Sequence, residues 1–251
     1  MSTSDAPDES ARVAALRAGI ALYAAEEYHA AHDPWEDVWL DLKDAVARGD
    51  AGGADANGAV AGDTDDTVET DGVAGDAPTS VVRDEALFHG LIQLTAAQHH
   101  ARDRNWSGAV GLADGARGYL ADLPDRYRGV DAAALRDALA GLAADPERVE
   151  RGPAPPLTHG GERVAPTSLS LSAATLAAEA LAEEHGLDAG VVADAGRFAR
   201  EEEAMGRSRF AALLFDLLRA DDPQTRGLVY DRLSGLVERE RRKETDVEGL
   251  F

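Results

Sequence analysis

The sequence predicts an all-α protein, and two observations lead to this prediction. Apolar residues recur at steps of three and four positions along most of the chain, which is the period of an amphipathic helix. No segment has the sustained alternation of apolar and polar residues that is typical of a half-buried strand. With 251 residues, of which 44% are hydrophobic, the chain can also build a sizeable core. We expect a compact helical bundle of about five helices, followed by about four further helices.

The first region, residues 8–150, contains the five bundle helices. Periodicity and candidate N-caps place them at residues 9–25, from 28 or 33 to about 46, from 84 to about 102, from 105 or 107 to about 123, and from 131 to about 142. The start of the second helix is open. It begins at Tyr28, or else Asp33 is its N-cap, Pro34 its first residue and Glu36 the acid of a capping box.

Two segments interrupt the helical pattern. Residues 49–82 contain eight acidic residues, seven Gly and no Lys or Arg. They cannot offset their ordering entropy by burial, and they predict a disordered acidic insertion. Residues 151–168 are rich in Pro and Gly, which indicates a linker or a domain boundary. Beyond it, residues 169–245 form a C-terminal helical region, with predicted helices at 172–185, 188–205, 208–220 and 222–243.

Charge narrows the class of protein. The chain has 47 acidic and 25 basic residues, for a formal net charge of -22. Such self-repulsion is tolerated where concentrated salt screens it, so the balance predicts a salt-adapted protein. It argues against general nucleic-acid binding, because affinity for phosphate requires a basic surface.

Features that the sequence lacks exclude further classes of protein. There is no Cys, which rules out disulfides and Cys-ligated zinc. No apolar run reaches the roughly 20 residues of a membrane span. The N-terminus lacks the basic and apolar stretches of a signal peptide. We therefore expect a cytoplasmic protein with no membrane partner.

Two of the predicted helices carry candidate site residues. One face of the second helix concentrates ionisable and aromatic side chains at helical spacing, namely His32, Trp35, Glu36 and Trp39. The third helix carries a narrow stripe with the same spacing, namely His89, Gln93, Ala96 and His100. Where the two helices meet, these polar groups must find partners, because an unsatisfied buried polar group costs about 1 to 3 kcal/mol.

Three interpretations of this arrangement stay open. In the first, a small ligand or a divalent metal binds between the helices; the candidate ligand-binding residues are His32, Trp35, Glu36, Trp39, Gln93 and His100, and the candidate metal ligands are His32, Glu36 and His100. In the second, the same residues serve a metal-assisted or His/Glu-dependent hydrolase. In the third, the polar stripe is an internal hydrogen-bond network, and the C-terminal helices bind a protein partner.

The order of these motifs resembles a known family. Residues 28–39, followed by Gly90-Leu91-Ile92-Gln93, His100, Asn105 and Gly108-Ala109, look like domain-of-unknown-function family 309 over residues 12–122. The resemblance implies a small all-α domain, with His32, Glu36, Gln93 and His100 at positions that the family pattern favours, but it implies no activity. Ala30 replaces a carboxylate of the pattern, and Glu26 stands at its turn glycine. The acidic, Lys-poor composition and the C-terminal extension resemble haloarchaeal members.

Overall fold

The computed structural model describes residues 7–48, 80–203, 206 and 208–248. The prediction of an all-α fold is confirmed, because nine α-helices lie within these ranges. They are α1 (Glu9–Ala24), α2 (Tyr28–Ala47), α3 (Ser80–Arg102), α4 (Trp106–Leu120), α5 (Ala132–Ala144), α6 (Leu171–Glu184), α7 (Ala189–Glu203), α8 (Arg209–Leu218) and α9 (Pro223–Glu248). Short 3-10 helices cover Pro146–Glu150 and Pro166–Ser168.

The second helix starts at Tyr28, so Pro34 lies inside it. The alternative start at Asp33 is corrected by the burial of the first turn, where Tyr28, Ala30 and Ala31 all enter the core. Pro34 has no backbone N–H and leaves the carbonyl of Ala30 without its helical donor. Tertiary packing of the first turn outweighs this loss.

The third helix also starts earlier than the sequence predicts. It begins at Ser80, and Asp84 is fully buried within it instead of capping it. Residues 80–82 of the predicted acidic insertion are therefore helical, while residues 49–79 lie outside the described part of the chain. The predicted caps of the two following helices agree with the structure, since Asn105 accepts from the Gly108 amide and Asp131 from that of Ala134.

Two local features were not expected from periodicity. A two-stranded antiparallel pair, β1 (Arg126–Tyr127) and β2 (Val130–Asp131), closes through a turn in which Arg128 has φ 50° and Gly129 φ 78°. Each strand has two residues, which is too short for an alternating pattern. The turn before α2 has Glu26 at φ 66°, a backbone conformation that favours glycine. This is the position at which the resembled family pattern has a turn Gly.

The helices enclose two hydrophobic cores that share α6. One face of α6, including Ala173, Ala177 and Leu181, packs into a core with α1 to α5. Its other face, through Ala178 and Ala182, packs with α7, α8 and α9. The C-terminal region thus rests on the N-terminal bundle, where α6 contacts both α1 and α2.

The Pro- and Gly-rich segment between these regions also packs against the bundle. Leu157 and Val164 belong to the first core. His159 forms a β-bridge with Glu162, and the Arg17 guanidinium donates to His159 Nδ1 at 3.3 Å. The segment therefore joins the two regions through buried side chains.

Candidate functional site

The helices that carry the predicted site run antiparallel. At one end, the His29 and His99 rings lie 6.4 Å apart, and at the other the Trp39 and His89 rings lie 4.6 Å apart. The helix α3 also packs against α4. Along α2, His32 and Glu36 lie between the residues that make these two ring contacts.

Trp35 does not belong to an accessible site. Its side chain is fully buried, and its indole N–H donates to the Leu16 carbonyl at 3.3 Å. The ring lies against Gly19, where an added Cβ would stand 2.2 Å from Trp35 Cε2. The prediction of Trp35 as the wall of a ligand site is therefore corrected: it anchors α2 on α1.

The predicted pairing of His32 and Glu36 with the third helix is also corrected. His32 Nδ1 lies 3.4 Å from Glu36 Oε2, one turn along the same helix, and both side chains are partly exposed. Among the described residues, no hydrogen bond or ion pair joins these two with Gln93 or His100. An i,i+4 pair of this kind contributes only a few tenths of a kcal/mol, about 0.2 to 0.5.

His100 takes part in the turn between α3 and α4. The Asn105 side-chain amide lies 2.9 Å from His100 Nδ1, and the Asn105 N–H donates to the His100 carbonyl at 2.8 Å. His100, His32 and Glu36 thus have separate partners. Within the part of the chain that the structure describes, no three His, Cys, Asp or Glu side chains are grouped as metal ligands.

The two remaining predicted residues, Trp39 and Gln93, converge on His89. The His89 imidazole stacks on Tyr119 of α4, with ring centroids 3.7 Å apart, and lies against Trp39 on its other side. The Trp39 indole N–H donates to Glu85 Oε1 at 2.7 Å. We call this group the His89 cluster, and its members are Trp39, Glu85, His89, Gln93 and Tyr119.

Three of its members follow one another along α3 at steps of four residues. His89 Nδ1 lies 3.5 Å from Glu85 Oε1, and His89 Nε2 lies 3.4 Å from Gln93 Nε2. Because an amide nitrogen donates, Nε2 is the acceptor and the imidazole proton resides on Nδ1, facing Glu85. The Nδ1 atom is buried and poorly aligned with that carboxylate, so it makes no hydrogen bond within the described structure.

The Gln93 side chain fits against α4 because residue 115 of that helix is a glycine. A Cβ at Gly115 would stand 2.2 Å from Gln93 Oε1. The amide therefore fits against α4 only because residue 115 is glycine. Its nitrogen reaches His89 one turn away on the same helix.

The surroundings of His89 keep it neutral. Burial lowers its pKa, the Glu85 carboxylate raises it, and the ammonium of Lys43 lowers it. Lys43 Nζ lies 4.8 Å from the centre of the Trp39 ring. The cluster thus presents a neutral imidazole between two aromatic rings, beside a carboxylate and a cation, and it opens to solvent at Tyr119, which is 37% exposed.

Sequence reasoning placed His89 in the correct stripe but omitted it from the candidate site, and it missed Glu85 and Tyr119. The spacing of Glu85, His89 and Gln93 at i, i+4 and i+8 is a signal that could have found Glu85. Nothing in the sequence indicates Tyr119, because its contact depends on the packing of α4 on α3.

A comparison of the chain with protein-family models, curated proteins and solved structures finds no match. The resemblance to family 309 therefore stays a prediction from the motifs. No helix in the described ranges has the length and apolar character needed to cross a membrane.

Proposed function

We propose that this protein is a salt-adapted cytoplasmic protein that binds a small acidic molecule at the His89 cluster. The observation that carries the proposal is the incomplete bonding of His89. Within the described residues its Nδ1 has no contact closer than the 3.5 Å approach to Glu85 Oε1 and makes no hydrogen bond, and its Nε2 contacts Gln93 at a long 3.4 Å. Buried polar groups are normally satisfied, so this imidazole has bonding capacity in reserve.

The ligand chemistry follows from what surrounds the imidazole. Lys43 is one of only two lysines in a chain of net charge -22, and it stands over Trp39 beside His89. A carboxylate on a ligand would be attracted to its ammonium, and a hydroxyl or protonated acid group would donate to Nε2 once Gln93 moves aside. The exposed Tyr119 ring supplies an apolar surface for the rest of the molecule.

A second candidate is a His/Glu-dependent hydrolase at the same cluster. It is supported by the order of Glu85, His89 Nδ1 and His89 Nε2, in which a carboxylate faces the protonated nitrogen and the other nitrogen accepts. This is the arrangement of a general base oriented by a carboxylate. The lowered pKa of His89 leaves its imidazole unprotonated near neutral pH, as a general base requires.

Ligand-observed NMR tests the binding proposal in about 1 M KCl, which screens the surface charge. The probes are small aromatic and aliphatic carboxylic acids, together with their amides. We expect some acids to give saturation transfer that their amides lack, and that is lost in His89→Phe. Phenylalanine keeps a ring between Trp39 and Tyr119 but has no nitrogen.

His99→Phe is the matched control, because His99 is exposed, lies on the same helix and has its own partner, Asp103. Saturation transfer should survive in this variant. The proposal is wrong if no acid binds, or if every acid that binds wild type also binds His89→Phe. Ester turnover that His89→Phe abolishes and His99→Phe retains would favour the hydrolase.

A further inference from the structure

A cavity lies where α1, α6, α8 and α9 meet, and none of the residues that line it belongs to the His89 cluster. Its volume is about 140 Å³. Most of its wall is apolar, with Leu22 of α1, Leu181 of α6 and Leu218 of α8 among the lining residues. Three charged residues also line it, namely Glu27, Asp221 and Arg226.

Arg226 is a buried cation with spare donors. The residue is 7% exposed, and among the described residues its guanidinium donates only from Nη2, to the Ala220 carbonyl at 3.2 Å and to Glu27 Oε1 at 3.3 Å. Its Nε is buried and has no hydrogen bond among the described residues. A buried guanidinium normally uses most of its five N–H groups, so this one can accept a further acidic partner.

Glu27 likewise uses only one of its two carboxylate oxygens in the hydrogen bonds of the described structure. Its Oε1 is shared between Arg226 and His185 Nε2, which lies 3.2 Å away. Oε2 has no hydrogen bond within the described part of the structure. The neighbouring Asp221 adds a second carboxylate to the cavity wall. Free acceptors therefore lie beside the spare donors of Arg226.

The charges that line the cavity indicate which class of ligand can bind there. A simple anion would pair with Arg226 but would meet the carboxylates of Glu27 and Asp221. A simple cation would pair with those carboxylates but would meet a buried guanidinium. A molecule that carries both charges satisfies both sides, while the leucine side chains favour an apolar remainder.

We propose that this cavity binds a small zwitterion with a short apolar side chain, that is, a free aliphatic α-amino acid. Its carboxylate pairs with Arg226, and its ammonium pairs with Glu27 and Asp221. A cavity of about 150 Å³ accommodates a benzene-sized molecule, so 140 Å³ suits a molecule of similar size such as valine.

Calorimetric titration in molar KCl tests the proposal, with L-valine as the probe. Isovalerate keeps the carboxylate but lacks the amine, and isobutylamine keeps the amine but lacks the carboxylate. We expect L-valine to bind at least about tenfold more tightly than either analogue, because each analogue pairs with the charge on only one side of the cavity.

Two substitutions locate the binding. Ala25→Leu places a larger side chain at an exposed residue that lines the cavity, and Ala24→Leu makes the same change at an exposed neighbour that does not. L-Valine affinity should fall about tenfold or more in Ala25→Leu and in Arg226→Met, and should be unchanged in Ala24→Leu.

The outcomes of these titrations are decisive in both directions. The absence of L-valine binding, equal binding of either analogue, or equal affinities in Ala25→Leu and Ala24→Leu would overturn the proposal. Since Ala25 is exposed, the first variant should fold even if Arg226→Met does not. His89→Phe should leave L-valine binding intact, which separates this site from the proposed function.

Discussion

Two adjacent carboxylates on α3 have contrasting environments. Asp84 is fully buried and accepts hydrogen bonds from Arg12 at 2.7 Å, from Tyr127 at 2.8 Å and from two nitrogens of Arg128 at 2.7 and 2.8 Å. Glu85 keeps 21% of its side-chain surface exposed and, within the described ranges, accepts one hydrogen bond, from Trp39. Its approach to His89 is poorly aligned.

The comparison separates a structural carboxylate from an available one. Asp84 joins α1, α3 and the β1–β2 turn, and both of its carboxylate oxygens accept hydrogen bonds. Burial and the hydrogen bond to Asp84 raise the pKa of Tyr127 to about 12, so this phenol stays a donor across the physiological range. Glu85 and His89 retain unused bonding capacity, which is the condition that a ligand site requires.

The largest expected effect is the loss of Asp84. Asp84→Ala leaves two arginines without their shared partner and should lower the free energy of unfolding by about 3 kcal/mol. Glu85→Ala, its matched control, removes one hydrogen bond and should cost about 1 kcal/mol. Urea denaturation of both variants in molar salt measures the difference. Equal losses would remove the distinction between the two carboxylates.

Gly115→Ala tests the contact that directs Gln93 to His89. The added Cβ displaces Gln93 Oε1 and should lower stability by about 1 kcal/mol. Gly111→Ala on the same helix meets nothing within 4 Å and should instead stabilise by about 0.5 to 1 kcal/mol. Thermal unfolding measures both variants, and Gln93→Ala should relieve the cost at Gly115. If both substitutions raised the stability, or if both lowered it, this account would be contradicted.

A smaller effect is expected in the pH dependence of stability. The pKa of His89 is lowered, chiefly by burial, so below about pH 6.5 the unfolded chain binds this proton and the folded chain resists it. The stability due to neutral His89 is present above that pH and is lost as the pH falls. The free energy of unfolding should therefore decline more steeply in wild type than in His89→Gln. Other titrating groups, such as Asp33, Asp37 and Glu179, are present in both proteins and contribute equally to both. If the free energy of unfolding fell equally steeply with pH in the two proteins, the prediction would be refuted.

The smallest effect concerns the influence of Glu85 on the pKa of His89. Trp39→Phe removes the N–H that, among the described residues, donates to Glu85, and it frees the carboxylate to attract the imidazolium. The pKa of His89 should therefore rise. NMR titration of the imidazole measures the shift, and Trp106→Phe, which changes an indole on α4, is the control. A pKa that stays constant or falls would show that Glu85 is not coupled to His89.

Much of the fold was predictable because it depends on local chemistry. Asp131 was predicted as a cap, and Asn105 as one of two candidates beside Ser107, since a short polar side chain before an apolar run satisfies free amides at a helix start. Pro34 was ambiguous because its local preference for a first turn competes with the burial of Tyr28, and only packing resolves that competition. The two-residue strands were undetectable because they are shorter than the pattern that would indicate them.

The candidate site was predictable in part, for a related reason. The sequence by itself determined the helices, the acidic character, and the stripes that hold Trp39, His89 and Gln93. Only the tertiary structure decided that Trp35 is buried on Gly19, that His32 turns to Glu36, and that Glu85 and Tyr119 complete the cluster. Successive helical residues point about 100° apart, so spacing determines which residues share a face. The neighbouring helices determine which face is buried, bonded or available.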